Sequence, residues 1–184
     1  MGQNGLLLFV IGGVVLVFLL WYIATSNKLN RTVVKIEEAD SGIDVALTKR
    51  YDVLTKMIDT VKAYSKHEKE TLFEVINLRK GMTLEEKNKE NSKMSKNIEK
   101  INIIAESYPE LKSSENYKVL QQSIADVEEH LQAARRMYNS NVSIFNQMLV
   151  TFPTSVIAKS KGMVKKEFFE ADDVKKQDVK IDLQ

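Results

Sequence analysis

The chain has 184 residues, and its 27 Lys and Arg against 25 Asp and Glu leave a net charge of +2. So even a balance lacks the strong basic excess of a dedicated nucleic-acid binder, and no nucleic-acid partner is expected. The absence of cysteine excludes disulfides and thiol nucleophiles, and two prolines in the whole chain, Pro109 and Pro153, leave room for long helices.

Charge is unevenly distributed. Residues 1–5 are a short, uncharged, exposed N-terminus, and Leu6 to Ile23, LLLFVIGGVVLVFLLWYI, is a run of eighteen residues without a charge. At ~1.5 Å rise per residue, residues 6–25 cover the ~30 Å hydrocarbon core of a bilayer. Trp21 and Tyr22 fall where amphipathic rings favour the interface, and the first charge is Lys28. The stretch reads as a transmembrane helix. Two other readings compete with it, a cleaved signal peptide and a buried core helix. The first is disfavoured by the uncharged start and the length of the run. Lysine and arginine lie only past the span, at Lys28, Arg31 and Lys35, which orients the N-terminus outside and the rest of the chain in the cytoplasm.

From Leu29 apolar residues recur every three or four positions: Leu29, Val33, Ile36, Ile43, Leu47, Leu54, Met57 and Val61. That is one buried helical stripe, with polar groups at Asp40 and Arg50 on the same register. With no proline between Asn27 and Lys80, a helix is expected over about 28–80, continuing out of the membrane and bent at Ser41-Gly42. Gly81 suits a helix end, and Thr83-Leu84-Glu85-Glu86 is a capping box that opens a helix over 84–107. Its stripe is Met94, Ile98, Ile101 and Ala105, and its polar first part, EEKNKENSK, is expected to pack little surface.

Pro109 closes that helix, and Ser113 or Ser114 caps the next, over 114–152. Its register runs Tyr117, Leu120, Ile124, Val127, Leu131, Ala134, Tyr138, Asn141, Phe145, Met148, Phe152, every step three or four, the pattern of left-handed, coiled-coil-like packing. Pro153 stops it, and a short helix over 154–161 precedes Gly162. The 26–165 region is thus expected to be one all-α domain, and residues 166–184 a flexible tail.

These residues resemble the LemA family, bacterial proteins with one N-terminal membrane helix and a helical-bundle domain. The resemblance rests on Ile43-Asp44-Val45 with Leu47 and Arg50, on Tyr64, His67-Glu68 and Arg79, and on Glu106-Ser107-Tyr108-Pro109-Glu110-Leu111-Lys112. It continues through Glu128, Ala134-Arg135-Arg136-Met137-Tyr138-Asn139, Phe145-Asn146, Phe152-Pro153, Ile157-Ala158 and Gly162. Thr55-Lys56 stands where the family usually has Pro-Asn. The resemblance implies an antiparallel four-helix bundle at the bacterial cell envelope, and it implies no chemistry.

The residues supply none either. His67 and His130 are the only imidazoles, His67-Glu68 lacks the second histidine of a zinc-protease helix, and no glycine-rich phosphate loop exists. No catalytic, cofactor-binding or metal site is expected. Two sets of residues remain as candidates. Asp44, Arg50, Glu68, Arg79, Glu128, Arg135, Asn139 and Asn146 form a polar seam, either a ligand pocket or charges that pair across helices and fix register. Glu128 and Arg135, and likewise Asn139 and Asn146, share a helix face two turns apart. Lys159, Lys161, Lys165 and Lys166 form a basic patch that either docks on a lipid surface or is a solvated helix end. The expected function is that of a membrane-anchored, non-enzymatic interaction or structural protein whose partners are the membrane, other proteins and further copies of itself. The alternatives are a membrane-surface or membrane-remodelling protein and, more remotely, a small-ligand sensor built on the seam.

Overall fold

The computed structural model describes residues 3–64 and 73–169, without the side chains of Gln3, Asn4 and Leu6. Among the described residues the protein is all-α, as the periodicity implies: α1 Gln3–Tyr64, α2 Leu84–Ser107, α3 Pro109–Ser113, α4 Glu115–Val150 and α5 Thr154–Ser160. It divides into two compact units, one of Met1–Ala39 with Met137–Phe168 and one of Asp40–Arg136 with Phe169–Gln184.

In the first unit α1 begins with large apolar side chains exposed on every side from Leu7 to Leu20, and this is the one stretch among the described residues long and apolar enough to cross a membrane, with mean hydropathy 2.7. From Leu29 a single face turns inward: Leu29 and Ile36 are buried, as are Val142, Phe145 and Met148 of α4 and Ile157 and Ala158 of α5. The Thr32 hydroxyl reaches Met148 Sδ at 3.8 Å, and Asn141 Nδ2 donates to the Lys35 carbonyl at 3.1 Å, so α4 runs antiparallel to α1 here. Ser114, one of the two expected caps, starts α4 by accepting the Tyr117 N–H at 3.3 Å. Gly162 takes φ +64°, the left-handed conformation that lets the chain leave α5 and turn back.

The expected flexible tail over 166–184 needs correction at its start. Asn146 holds the Lys166 backbone from both sides, Nδ2 donating to the carbonyl at 2.8 Å and Oδ1 accepting the N–H at 2.9 Å. The Tyr138 hydroxyl donates to the Glu167 carbonyl at 3.3 Å. The rest of that segment, residues 170–184, lies outside the described residues.

In the second unit Leu54, Met57 and Val61 of α1 meet Met94, Ile101 and Ala105 of α2, Leu111 of α3, and Tyr117 and Ile124 of α4. α1 passes Thr55-Lys56 without a break and is described as far as Tyr64, whereas residues 73–80 are not helical, so the helix expected over 28–80 is too long by its last part. Residues 74–79 form neither helix nor strand. The reason lies in their own pattern: Ile76 and Leu78 are half-buried against the core while Val75, Asn77 and Arg79 face out, an alternation of period two. This strap runs beside α2 in the opposite direction, Glu74 against Asn97 and Asn77 against Glu90. The chain reverses at Gly81, φ +75°, which is a turn residue and not the end of a helix. The capping box at Thr83 and Glu86 forms as expected, and α2 starts beside Asp40 and proceeds past Arg50, in the direction of α1.

Among the described residues no strand lies beside the strap, and Asn97, wholly buried, gives its backbone partners: its Oδ1 accepts the Glu74 N–H at 2.9 Å and its Nδ2 donates to the Glu74 carbonyl at 2.9 Å. Asn97→Ala leaves both backbone groups short of a partner, an expected loss of ~1–3 kcal/mol in urea denaturation, with faster amide exchange at Glu74 than at Ile124 of the core. Unchanged protection at Glu74 would mean that the clasp does not hold the strap.

Candidate functional site: the polar face of α2

The first half of α2 is polar, and its burial is what the sequence reading misses. Lys87, Glu90, Asn91 and Asn97 are all buried, so EEKNKENSK packs extensively and the expectation that it would pack little surface is corrected. These positions continue the apolar stripe of Met94 and Ile101 backward at the same spacing of three and four. The register was visible; the polar character of the side chains concealed that it was an interior face.

Toward α1 the face presents cations and an amide. The Lys87 ammonium lies 2.7 Å from both Asp40 Oδ1 and Asp44 Oδ1. Arg50, 3% exposed, crosses from α1 to α2, its Nη1 donating to the Asn91 carbonyl at 2.9 Å and to Asn91 Oδ1 at 2.6 Å, and its Nη2 to Ser95 Oγ at 3.1 Å. The same Nη2 forms an ion pair with Glu128 of α4, so one guanidinium joins three helices. Its Nε has no hydrogen-bond partner among the described residues. Toward the strap the face presents acceptors and a second lysine. Glu90 Oε2 accepts the Asn77 N–H at 2.7 Å, and Lys93 Nζ donates to Glu90 Oε1 at 2.7 Å and to the Val75 carbonyl at 3.2 Å.

The charges are held in place by their partners. Burial opposes the Lys87 ammonium, but the hydrogen bonds and charges of Asp40 and Asp44 outweigh it and raise its pKa above the ordinary lysine value. Burial likewise opposes the Glu90 carboxylate, yet Lys93 and the Asn77 N–H hold its pKa below the usual range. The Thr83 N–H does the same for Glu86, with burial opposing it and Arg79 assisting. Burial alone raises the Tyr117 phenol against a weaker opposing hydrogen bond from Gln121.

The structure sorts the eight residues of the expected seam. Asp44, Arg50 and Glu128 belong to the α1–α2–α4 contacts just described, Glu128 through its ion pair with Arg50. Arg135 is half-buried with its guanidinium 4.8 Å over the Phe169 ring. Arg79 is a correction: it lies exposed at the turn after the strap, paired with Glu86 of the capping box, because the helix that would have carried it into the seam ends earlier. Asn146 serves the Lys166 backbone, Asn139 is half-buried, and Glu68 lies outside the described residues. In the basic patch Lys159, Lys161, Lys165 and Lys166 are all exposed, and Lys161 Nζ donates to Asn30 Oδ1 at 3.2 Å. In the apolar stretch Tyr22 and Ile23 are exposed and Trp21 is half-buried, tilted against Phe18 with ring centroids 5.3 Å apart. Among the described residues no three His, Asp or Glu side chains converge as metal ligands.

Glu90 gives this face a definite pH signature. A folded-state pKa below the ordinary glutamate value of 4.5 contributes stability that is present above the unfolded pKa and lost as pH falls through the folded one. The stability difference between the wild type and Glu90→Gln, read from urea midpoints, is therefore expected to be widest at neutral pH and to close below about pH 4.5. A difference that stays constant through that window would show that the charge on Glu90 does not support the strap.

The LemA family profile matches residues 39–183. Protein LemA of Metamycoplasma hominis is 29% identical over 168 residues, which cover 89% of this chain and 77% of that protein. The matched region takes in α2, the strap and the Arg50–Glu128 contact, and on its extent the chain belongs to the LemA family.

Proposed function

We propose that this chain is a single-pass, membrane-anchored structural or interaction protein of the cell envelope, with its N-terminus outside and its helical domain in the cytoplasm, and that it carries out no catalysis. The observation that supports the anchor is the change of character along α1, whose side chains are exposed and apolar on all faces to Ile23 and then buried on one stripe from Leu29, within one uninterrupted helix. Lipid is the solvent that suits the first part and a packed protein core the second. The orientation follows Lys28, Arg31 and Lys35.

A structural role is supported by what the buried polar groups do. Lys87 and Asn91 bind α1, Glu90 and Asn97 bind the strap, and Arg50 is joined to Asn91, Ser95 and Glu128. Groups so engaged hold register; an acid, base or nucleophile needs a face open to a reactant. The domain therefore serves by presenting its exterior to proteins or to other copies of itself.

Single cysteines at Gln3 and at Lys80, in a chain that has none of its own, test the topology in intact cells. An impermeant maleimide is expected to label position 3 and to spare position 80 until the membrane is opened. Labelling of position 80 in sealed cells would reverse the orientation, and loss of residues 1–25 from the mature chain would replace the anchor by a cleaved signal.

A further inference from the structure

The corner between α4 and α5 is built as though for an apolar medium. Val150, Phe152 and Val156 are 64%, 79% and 58% exposed, three large apolar side chains within seven residues, although the heptad-like register of α4 would have placed Phe152 in the core. Phe152 and Pro153 do not face open solvent alone. They form one wall of an apolar groove of about 750 Å³ whose other wall is Val10, Gly13, Val14, Val17, Phe18 and Trp21 of α1. The corner thus lies alongside the stretch read above as the membrane span.

Its backbone is prepared for the same surroundings. Irregular backbone is costly in hydrocarbon because nothing there replaces water as a hydrogen-bond partner. Here the Thr151 N–H donates to the Gln147 carbonyl at 3.0 Å and the Ser155 N–H to the Thr151 carbonyl at 2.9 Å, while Pro153 has no N–H to satisfy. The Thr154 hydroxyl lies 2.7 Å from the Met148 carbonyl and 2.8 Å from that of Thr151, covering the carbonyls at the end of α4.

Charge is arranged on the opposite side. Lys159 and Lys161 stand at the far end of α5, and the contact of Lys161 with Asn30 fixes its level: Asn30 is seven residues past Ile23, ~10 Å along the helix, about one Debye length at ~0.1 M salt. Lys166, held at Asn146 and so farther up α4 than Met148, is more distant and is not needed for this contact. Apolar side chains beside the span, and lysines at headgroup level above them, are the order that snorkelling residues and interfacial helices adopt.

We propose that the α4–α5 corner is a second membrane contact, in which Val150, Phe152, Pro153 and Val156 enter the acyl region of the cytoplasmic leaflet beside α1 and Lys159 and Lys161 bind anionic phospholipid headgroups. The proposal rests on the reading of α1 as the span. Its occupant is lipid, because one wall of the groove is the span itself and the flanking charge is complementary to an anionic leaflet.

The test uses the full-length chain in vesicles of phosphatidylcholine with and without phosphatidylglycerol. Nitroxide labels are placed singly by Phe152→Cys and Val156→Cys, with Val14→Cys reporting the span and Val119→Cys an exposed site of the second unit. Labels at 152 and 156 are expected to collide freely with oxygen and poorly with a water-soluble nickel chelate, and to lie deeper when phosphatidylglycerol is present. Free collision with nickel at 152 and 156, with position 14 dry, overturns the corner and leaves the anchor standing; nickel access at position 14 overturns both. Poor collision with both reagents at 152 and 156 means that protein, a partner's or a second copy's, fills the groove, and it overturns the lipid assignment. A depth at 152 that ignores phosphatidylglycerol, or that survives Lys159→Gln with Lys161→Gln, removes the lysines from the contact.

Discussion

One helix has to be correct for two solvents, and the rest of the structure follows from how α1 meets that demand. Through Ile23 its apolar side chains are distributed around the whole circumference; from Leu29 they narrow to a stripe of Leu29, Ile36, Ile43, Leu47, Leu54, Met57 and Val61. No proline or connecting loop separates the two regimes. Every other long element lies against that stripe. In the first unit Leu29 and Ile36 are buried, as are Val142, Phe145 and Met148 of α4 and Ile157 and Ala158 of α5; in the second α2, α3, α4 and the strap close over Leu54, Met57 and Val61.

The second unit would be a simple bundle but for the strap, which imposes an accounting problem. Buried backbone N–H and C=O groups must find partners, and residues 74–79 are in neither helix nor strand and have no strand beside them among the described residues. The polar half of α2 is the solution. Asn97, Glu90 and Lys93 take the place of a neighbouring strand, bonding Glu74, Asn77 and Val75 in turn. Because this face is buried to do so, its charges need counterparts: Lys93 pairs with Glu90, and toward the other helices Asp40 and Asp44 pair with Lys87, and Glu128 with Arg50. The same device recurs in the first unit, where Asn146 clasps Lys166 just as Asn97 clasps Glu74.

Much of this was legible in the sequence. The stripe of α1, the capping box at Thr83, the span of α2 and the register of α4 all follow from apolar periodicity and local capping, which act over a few residues and leave direct marks. The strap was hidden because a proline-free run of helix-compatible residues from Asn27 to Lys80 outweighed the weak alternation of residues 74–79 around Ile76 and Leu78. Reading 74–79 as helix then misassigned Arg79 to a seam. It also made α2's polar face look solvated, since the partner that buries it had been placed elsewhere. Asp44, Arg50 and Glu128 were identified as a set, but which of them meet depends on α2 lying alongside α1, and no local signal carries that. Phe152 fits the α4 register perfectly and is exposed all the same, since periodicity states which face a residue occupies and not whether that face is covered at the helix end.

The account stands on α1 remaining one helix where it passes from lipid into the protein core. A nitroxide scan from Ala24 to Ile43, one cysteine at a time in the full-length chain reconstituted in bilayers, measures this at each position. The account predicts side-chain mobility with a period of ~3.6 residues throughout and minima at Thr25, Leu29, Thr32, Ile36, Ala39 and Ile43, the buried positions of this segment. Uniformly high mobility between Ala24 and Leu29, with the period recovered only beyond it, would reveal a flexible linker between anchor and domain and contradict the account.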